Sequence, residues 1–316
     1  MCDVTVVLVN YNTEHLLERV FAALFAARQT LSMQTIVVDN ASRDNSVAIL
    51  RHGYPDVELI ANTTNVGFGR ANNQALPRIR GRYILLLNTD AFVADDTLTK
   101  TVAYMDEHPQ CGVLGVRLVS ESGALQPSCR YFPTPWNVFL AENGLGRFFP
   151  RVQMVDDMDW DHVGTRSCDW VPGCFYLMRK SAIEQVGLFD PLFFVYYEEV
   201  DHCRRIRQAE WRVTYFGEAT VIHIGGESAG ADDKLTTSGR QIARLQIESE
   251  MLYFRKHHGL SGLLTYLALT GCGAALELVK DVVRPVQGRL RNTQLQKLKL
   301  AVSLLGPTGW ATRPTR

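Results

Sequence analysis

The residues whose chemistry stands out sit where short apolar runs end. Val4–Val9, Thr35–Val38, Val57–Ala61 and Tyr83–Leu87 read as buried strands, and they lead into Asn10-Tyr11-Asn12, Asp39-Asn40-Ala41-Ser42, Asn62–Asn65 and Asn88-Thr89-Asp90. Asn, Asp and Ser are ordinary helix caps. In an open α/β sheet, however, ligands bind outside the carboxyl ends of the strands, and here four successive ends carry Asn or Asp. Asp39 suits a ring imide or ribose hydroxyl held by charge-assisted hydrogen bonds. Asp90 would meet the pyrophosphate of a nucleotide through a hard divalent cation, Mg²⁺ or Mn²⁺. His223 ends the run VIHI, just before Gly225-Gly226-Glu227-Ser228. It is either a second metal ligand or a packing residue.

The densest cluster is FFVYYEEVDHCRR, residues 193–205. Glu198, Glu199 and Asp201 open a helix, where the positive end of the macrodipole favours acids. They also follow a wholly apolar, aromatic run. Such surroundings partly desolvate a carboxylate and raise its pKa, as a general base requires.

Several chemistries are excluded. The first strand runs into NYNTEH rather than GxGxxG, and Gly67-Phe68-Gly69 holds only two glycines after a different strand. A nicotinamide fold is therefore not expected. Neither a GxxxxGK[ST] phosphate loop nor a GxSxG nucleophile elbow occurs.

Positioning these residues requires a regular scaffold. Helical spacing covers Thr13–Ala27, with Thr13 as cap, then Ser42–Leu50, Gly69–Ile79 and Asp95–Glu107, before a strand near Val113–Val116. Strand–helix alternation of this kind predicts right-handed crossovers and a mostly parallel sheet. Residues 117–168 carry four prolines, an aromatic stretch and the acidic run VDDMDWD, and read as a long, partly mobile insertion able to cover a pocket. Trp170–Arg179 reads as a strand, Glu198–Gln208 as a helix, Arg212–Phe216 and Thr220–Ile224 as strands, and everything beyond Leu235 as helical. The expected fold class is α/β, with a catalytic domain over 1–230 and a helical extension over 231–316. The catalytic domain divides into a nucleotide half, about 1–116, and an acceptor half, about 117–230.

Composition bounds the rest. The 316 residues are 46% hydrophobic, a globular proportion, and their formal net charge is zero. That balance argues against a nucleic-acid partner. It hides an asymmetry, because Lys280–Arg316 holds eight cations against Asp281 alone, a net +7 set against −7 over residues 1–279. Seven scattered cysteines without a CxxC pair fit a reducing compartment. No basic segment precedes VTVVLV, so a cytosolic chain is expected. Gly259–Leu276 is 18 residues without a charge, slightly under the roughly 20 that span a bilayer. It reads as a buried or dimer-forming helix, or as an interfacial segment ahead of a basic tail drawn to anionic lipid.

VVLVNYN (6–12), IVVDNASRDNS (36–46), NVGFGRANNQ (65–74), LLLNTD (85–90), WVPGCFYLMRKSAIEQVGLFD (170–190), FFVYYEEVDHCRR (193–205) and VIHIGGES (221–228) occur in this order. Together they resemble glycosyltransferase family 2, inverting enzymes of the GT-A fold, and within it a rhamnosyltransferase-like branch. The resemblance implies a nucleotide-sugar donor, dTDP-L-rhamnose first and a UDP-hexose second. It implies a saccharide or polyprenyl-diphosphate-linked acceptor, bacterial cell-surface polysaccharide synthesis, and a place at the cytoplasmic face of the inner membrane. By the same resemblance, Asp39 contacts the donor nucleobase, with Asn10 and Asn12 lining that pocket. Asn65, Gly67, Arg70 and Asn73 follow the nucleotide and its phosphates, with Thr89 beside Asp90. Asp90 is the metal acid of a DxD-like element that reads Asn88-Thr89-Asp90 here, which gives His223 more weight as second ligand. Trp170 and Gly173 shape the sugar and acceptor pocket. Glu199 falls on the base position, with Glu198 and Asp201 in reserve, in a single in-line displacement. Two alternatives remain: a nucleotidyltransferase, which would want a glycine- and lysine-rich phosphate loop, and a non-catalytic nucleotide-sugar-binding scaffold, which the missing first acid of the DxD-like element favours.

Overall fold

A computed structural model describes residues 2–225, 240–283 and 293–316. Gly226, Glu227 and Ser228, and the tail cations Arg284, Arg289 and Arg291, lie outside the described residues.

Runs that are apolar on both faces form the central strands, as burial from both sides demands. These are β1 (Val4–Asn10), β2 (Met33–Asp39) and β4 (Tyr83–Asn88), with β3 (Glu58–Ala61) as a half-buried strand at the sheet edge. They lie in the order β3-β2-β1-β4, all parallel, with Asn10 in register with Asp39. The crossovers carry helices α1 (Glu14–Arg28), α2 (Ser46–Gly53) and α3 (Phe68–Ala75). Leu17, Val20, Phe21 and Leu24 of α1 bury the apolar stripe that the helical spacing predicted.

Beyond β4 the direction alternates. β5 (Ala91–Val93) follows at once, then α4 (Thr97–Glu107), β6 (Cys111–Val119) and β7 (Leu125–Gln126). Later come α5 (Pro135–Glu142), β8 (Thr165–Ser167), β9 (Phe175–Arg179), α6 (Lys180–Val186), α7 (Glu198–Gln208) and β10 (Arg212–His223). β9 inserts antiparallel between β4 and β6, whereas β10 runs parallel to β6 and antiparallel to β5. The two runs read separately as Arg212–Phe216 and Thr220–Ile224 are one strand with a register shift between Phe216 and Thr220. Gly115 lets β6 approach Val171, because a Cβ there would stand 2.5 Å from the Val171 Cβ.

By contact the chain divides into two units. The first holds 1–130, 156–191 and 198–237, and so contains every strand of the sheet. The second is assembled from three stretches, 131–155, 192–197 and 238–316. Its helices are α5 (Pro135–Glu142), α8 (Arg240–Val283) and α9 (Thr293–Leu305). Thr134 starts α5 with a capping box, its hydroxyl accepting from Asn137 N at 3.1 Å while Thr134 N donates to Asn137 Oδ1 at 2.8 Å. Gly259 breaks α8 with φ 67° and ψ −166°, a conformation glycine adopts without steric cost. Lys297 of α9 binds Glu142 of α5 at 2.5 Å and Glu250 of α8 at 3.0 Å, while Tyr197 and Tyr266 both donate to Glu250. The second unit holds 14 Lys/Arg against 5 Asp/Glu, a net +9.

Candidate active site

The first unit collects the polar strand ends on one edge. Asn10 Nδ2 donates to Asp39 Oδ2 at 2.8 Å and to Ser42 Oγ at 3.1 Å, and Ser42 N donates to Asp39 Oδ1 at 3.0 Å. Asn12, at φ 52°, accepts from Arg43 N at 2.7 Å, which ties the ends of β1 and β2 together. Thr13 stands at the start of α1, but its hydroxyl does not cap the helix. It donates to Asn10 Oδ1 at 2.7 Å and accepts from the Thr89 hydroxyl at 3.0 Å. A buried relay therefore runs from Thr89 through Thr13 and Asn10 to Asp39, fixing the β4 end against the β2 end.

Asp90 is 5% exposed. The antiparallel pairing of His223 with Ala91 brings the end of β10 beside it, and His223 Nε2 lies 3.7 Å from Asp90 Oδ1. Gln126 sets the imidazole tautomer. Its Nε2 donates to the His223 carbonyl at 2.9 Å, so its Oε1 is the group that accepts from His223 Nδ1 at 2.9 Å. The proton sits on Nδ1, and the Nε2 lone pair faces Asp90. Burial lowers the His223 pKa and Asp90 opposes that shift. A neutral imidazole held through its other nitrogen is how metal-ligating histidines are oriented.

Residues suited to a divalent cation are thus a carboxylate, a neutral imidazole and Asn88 Oδ1, a buried oxygen with no hydrogen-bond partner among the described residues. No cluster of three or more His, Cys, Asp or Glu that could hold a metal occurs among the described residues. A hard cation with one or two protein acids completes its shell with substrate phosphates and water, and this donor set fits that pattern.

Glu198 and Glu199 begin α7. Glu198 is buried, its Oε2 has no hydrogen-bond partner among the described residues, and burial followed by the charge of Glu199 pushes its pKa well up. Glu199 is half-buried, and its pKa is raised by desolvation while the Arg130 cation pulls it down. Burial, then the charge of Asp90, and more weakly that of Glu199, push the Cys174 thiol far up, so both carboxylates act on one buried sulfur. Asn88 N donates to the Cys174 carbonyl at 3.0 Å, which sets that thiol beside the strand end leading to Asp90, and the charge of Glu199 reaches it from α7. Asp201, the reserve base, is fully buried and accepts from Arg205 Nε at 2.9 Å, and Arg205 also binds the Val186 and Leu188 carbonyls. With no exposure it cannot reach an acceptor hydroxyl, and its carboxylate instead anchors α7.

Several residues expected along the donor make internal contacts. Asn73 pairs with Phe189 at both ends of its amide, donating to the carbonyl at 2.7 Å and accepting from the N–H at 3.1 Å. Arg70 donates to the Pro191 carbonyl at 3.1 and 2.8 Å. Asn65 Oδ1 accepts from Asn40 Nδ2 and from Gly67 N, each at 2.9 Å. Gly67 opens α3 at φ 90°, which favours glycine. Trp170 is buried with the Arg130 guanidinium 4.2 Å over its ring, and Arg130 also pairs with Asp156 at 2.5 Å. A Cβ on Gly173 would meet only Phe68, at an ordinary 3.7 Å. Sequence reasoning missed Gln126 and Arg130. Gln126 has no local signal, since a strand pairing alone places it; Arg130 had one, a cation close to an aromatic stretch.

A sheet of parallel strands ending in polar loops, continued by antiparallel strands, with Asp90 between β4 and β5, His223 at the end of β10 and Glu199 at the start of α7, defines a GT-A glycosyltransferase architecture. The chain belongs to glycosyl transferase family 2, whose model matches residues 5–187. It is similar to the N-acetylglucosaminyl-diphospho-decaprenol L-rhamnosyltransferase of Mycobacterium tuberculosis, 28% identical over 73% of this chain and 80% of the relative. Rhamnosyltransferase WbbL of Escherichia coli K12 is 26% identical over 70% of this chain and 83% of its own. Among solved structures, mannosyltransferase PcManGT from Pyrobaculum calidifontis, in complex with GDP-Man and Mn²⁺, matches 98% of this chain and 88% of its own with a TM-score of 0.57 at 17% identity. S. aureus TarS 1-349 matches 97% and 91% with a TM-score of 0.51 at 13% identity.

Proposed function

We propose that this glycosyltransferase is inverting and metal-dependent, and moves a sugar from a nucleotide-sugar donor, dTDP-L-rhamnose first and a UDP-hexose second, to a saccharide or polyprenyl-diphosphate-linked acceptor. The observation that carries this reading is the Asp90–His223 pair at the strand ends of the first unit, and the charges of Asp90 and Glu199 that both bear on Cys174 support it. The rhamnosyltransferase names of two relatives support the donor, and the printed name of the mycobacterial one supports a lipid-linked acceptor.

Glu199 takes the proton from the acceptor hydroxyl. The oxygen attacks the anomeric carbon, the bond to the diphosphate breaks, and the nucleoside diphosphate leaves with inversion. Burial that raises the Glu199 pKa strengthens the carboxylate as a base, provided the pH keeps it ionised. Asp90 and His223, with Asn88 beside them, would hold Mg²⁺ or Mn²⁺, which offsets the charge that builds on the diphosphate. Asp39 receives the nucleobase, with Asn10 and Asn12 holding its carboxylate and loop in place. Thr89, Asn65, Gly67, Arg70 and Asn73 shape the donor channel, largely through the backbone contacts they fix. Trp170 and Gly173 border the sugar. In this reading residues 1–230 catalyse, and the helices over 231–316 bring the enzyme to the cytoplasmic face of the membrane where a lipid-linked acceptor lies.

The decisive experiment mixes the protein with a panel of nucleotide sugars, Mn²⁺ or Mg²⁺, and a polyprenyl-diphosphate-linked N-acetylglucosamine, and measures nucleoside diphosphate release. Release that needs both donor and acceptor supports transfer. Donor binding without release under every combination would favour a non-catalytic scaffold.

A further inference from the structure

Ten of the thirteen large apolar side chains left exposed among the described residues belong to the second unit. Three of them form an elbow at α5 and the turn that follows it. Trp136 stacks on Phe139 at 5.5 Å and meets Phe149 edge-on at 5.5 Å, while Phe148 is 62% exposed. The Arg147 guanidinium lies 4.7 Å over the Phe148 ring. From Asn143 to Val155 the sequence has Arg147 and Arg151 and no acid.

α5 meets an apolar stretch of α8 at Asn143. Lys280 Nζ donates to the Asn143 carbonyl at 3.0 Å, and a Cβ on Gly273 would stand 3.1 Å from Asn143 Nδ2. Leu278 and Val279, just before Lys280 in sequence, are exposed. Within Ala243–Lys280 an 18-residue window reaches a mean hydropathy of 1.5 with only a third of it buried, so this helix is long and apolar enough, by length and composition, to cross a membrane.

We propose that the Trp136–Phe148–Phe149 elbow, with Arg147 and Arg151, is a peripheral anchor that inserts shallowly into an anionic lipid surface. Aromatic rings favour the headgroup level of a bilayer, and clustered arginines are drawn to anionic lipid. The net +9 of the unit complements that surface. The same charge opposes covering the patch with a second copy, which would set +9 against +9.

The inference goes beyond the proposed reaction, and it is tested with neither donor nor acceptor present, so the two can fail separately. Full-length protein is sedimented with vesicles of phosphatidylcholine, with and without phosphatidylglycerol. We expect binding that requires phosphatidylglycerol and weakens with salt. Phe148→Ser with Phe149→Ser should lower it about tenfold, with an unchanged thermal melt. Arg147→Glu with Arg151→Glu, both exposed, should lower it similarly and serves if the aromatic variant unfolds. Equal vesicle binding by the variants, or binding indifferent to phosphatidylglycerol, overturns the anchor. So does a variant that changes the mass in lipid-free sedimentation, since the patch would then be a contact between copies.

Discussion

His223 Nε2 faces Asp90 Oδ1 across 3.7 Å because β10 pairs antiparallel with the three-residue strand β5, setting His223 against Ala91. If the pair holds a divalent cation, Asp90→Ala and His223→Ala lose Mn²⁺-dependent donor binding in calorimetry. Gln126→Leu frees the imidazole to rotate, and metal affinity should fall by roughly 10–100-fold. Donor binding that Mn²⁺ strengthens in all three variants as much as in the wild type, or wild-type binding indifferent to Mn²⁺, rejects this ligand assignment.

Glu199→Gln should lower kcat by about 10²–10⁴ and leave nucleotide binding nearly intact. Because desolvation raises the Glu199 pKa, activity is lost as pH falls through that raised value, above the ordinary glutamate range. Arg130 pulls the same pKa down, so Arg130→Met should move the acid limb of kcat/KM to higher pH. An acid limb that does not move separates Arg130 from the base.

The Asp201–Arg205 pair is fully buried on the carboxylate side. Arg205→Leu removes the cation beside that buried charge and should cost about 3–5 kcal/mol of stability. Asp201→Asn keeps the shape and should lower the melting temperature less, while the folded fraction retains transfer. Loss of kcat in Asp201→Asn at unchanged stability would return Asp201 to the catalytic machinery.

His202 is buried and neutral. It donates from Nε2 to the Gly187 carbonyl at 3.0 Å and accepts at Nδ1 from the Tyr176 hydroxyl at 2.8 Å. Burial, and then the Arg205 charge, lower its pKa to about 3. The unfolded chain therefore binds a proton near pH 6.5 that the folded one refuses, and stability falls as pH drops from about 6.5 toward 3, by roughly 1.4 kcal/mol per unit. His202→Gln should flatten the acid side of the melting temperature against pH. A profile as steep as wild type assigns the acid sensitivity to other groups.

In the nucleotide half β1, β2 and β4 were legible because they are buried on both faces and end in polar residues, and the half-buried edge strand β3 still falls within a residue of its apolar run. β5 is three residues of a run already spent on Asp90, and α6 hides inside a stretch whose only punctuation is Gly187. The aromatic stretch 131–155 reads as insertion because α5 is short and draws its stability from α8, more than 100 residues away. The same limit applied at the site. Residue type and order pointed to Asp90, Glu199 and His223, but the amide of Asn73 looks ligand-like in sequence and only geometry shows it holding Phe189.

The interleaving of the second unit limits how this enzyme can be cut or exchanged. Helices α8 and α9 share their packing with 131–155 and with 192–197, and the latter runs directly into Glu198. Deleting the C-terminal helices would strip α5 of the Lys280 and Lys297 contacts and loosen the residues ahead of Glu198. The C-terminal region is therefore not a modular cassette: grafting it onto another glycosyltransferase would require carrying two internal loops with it.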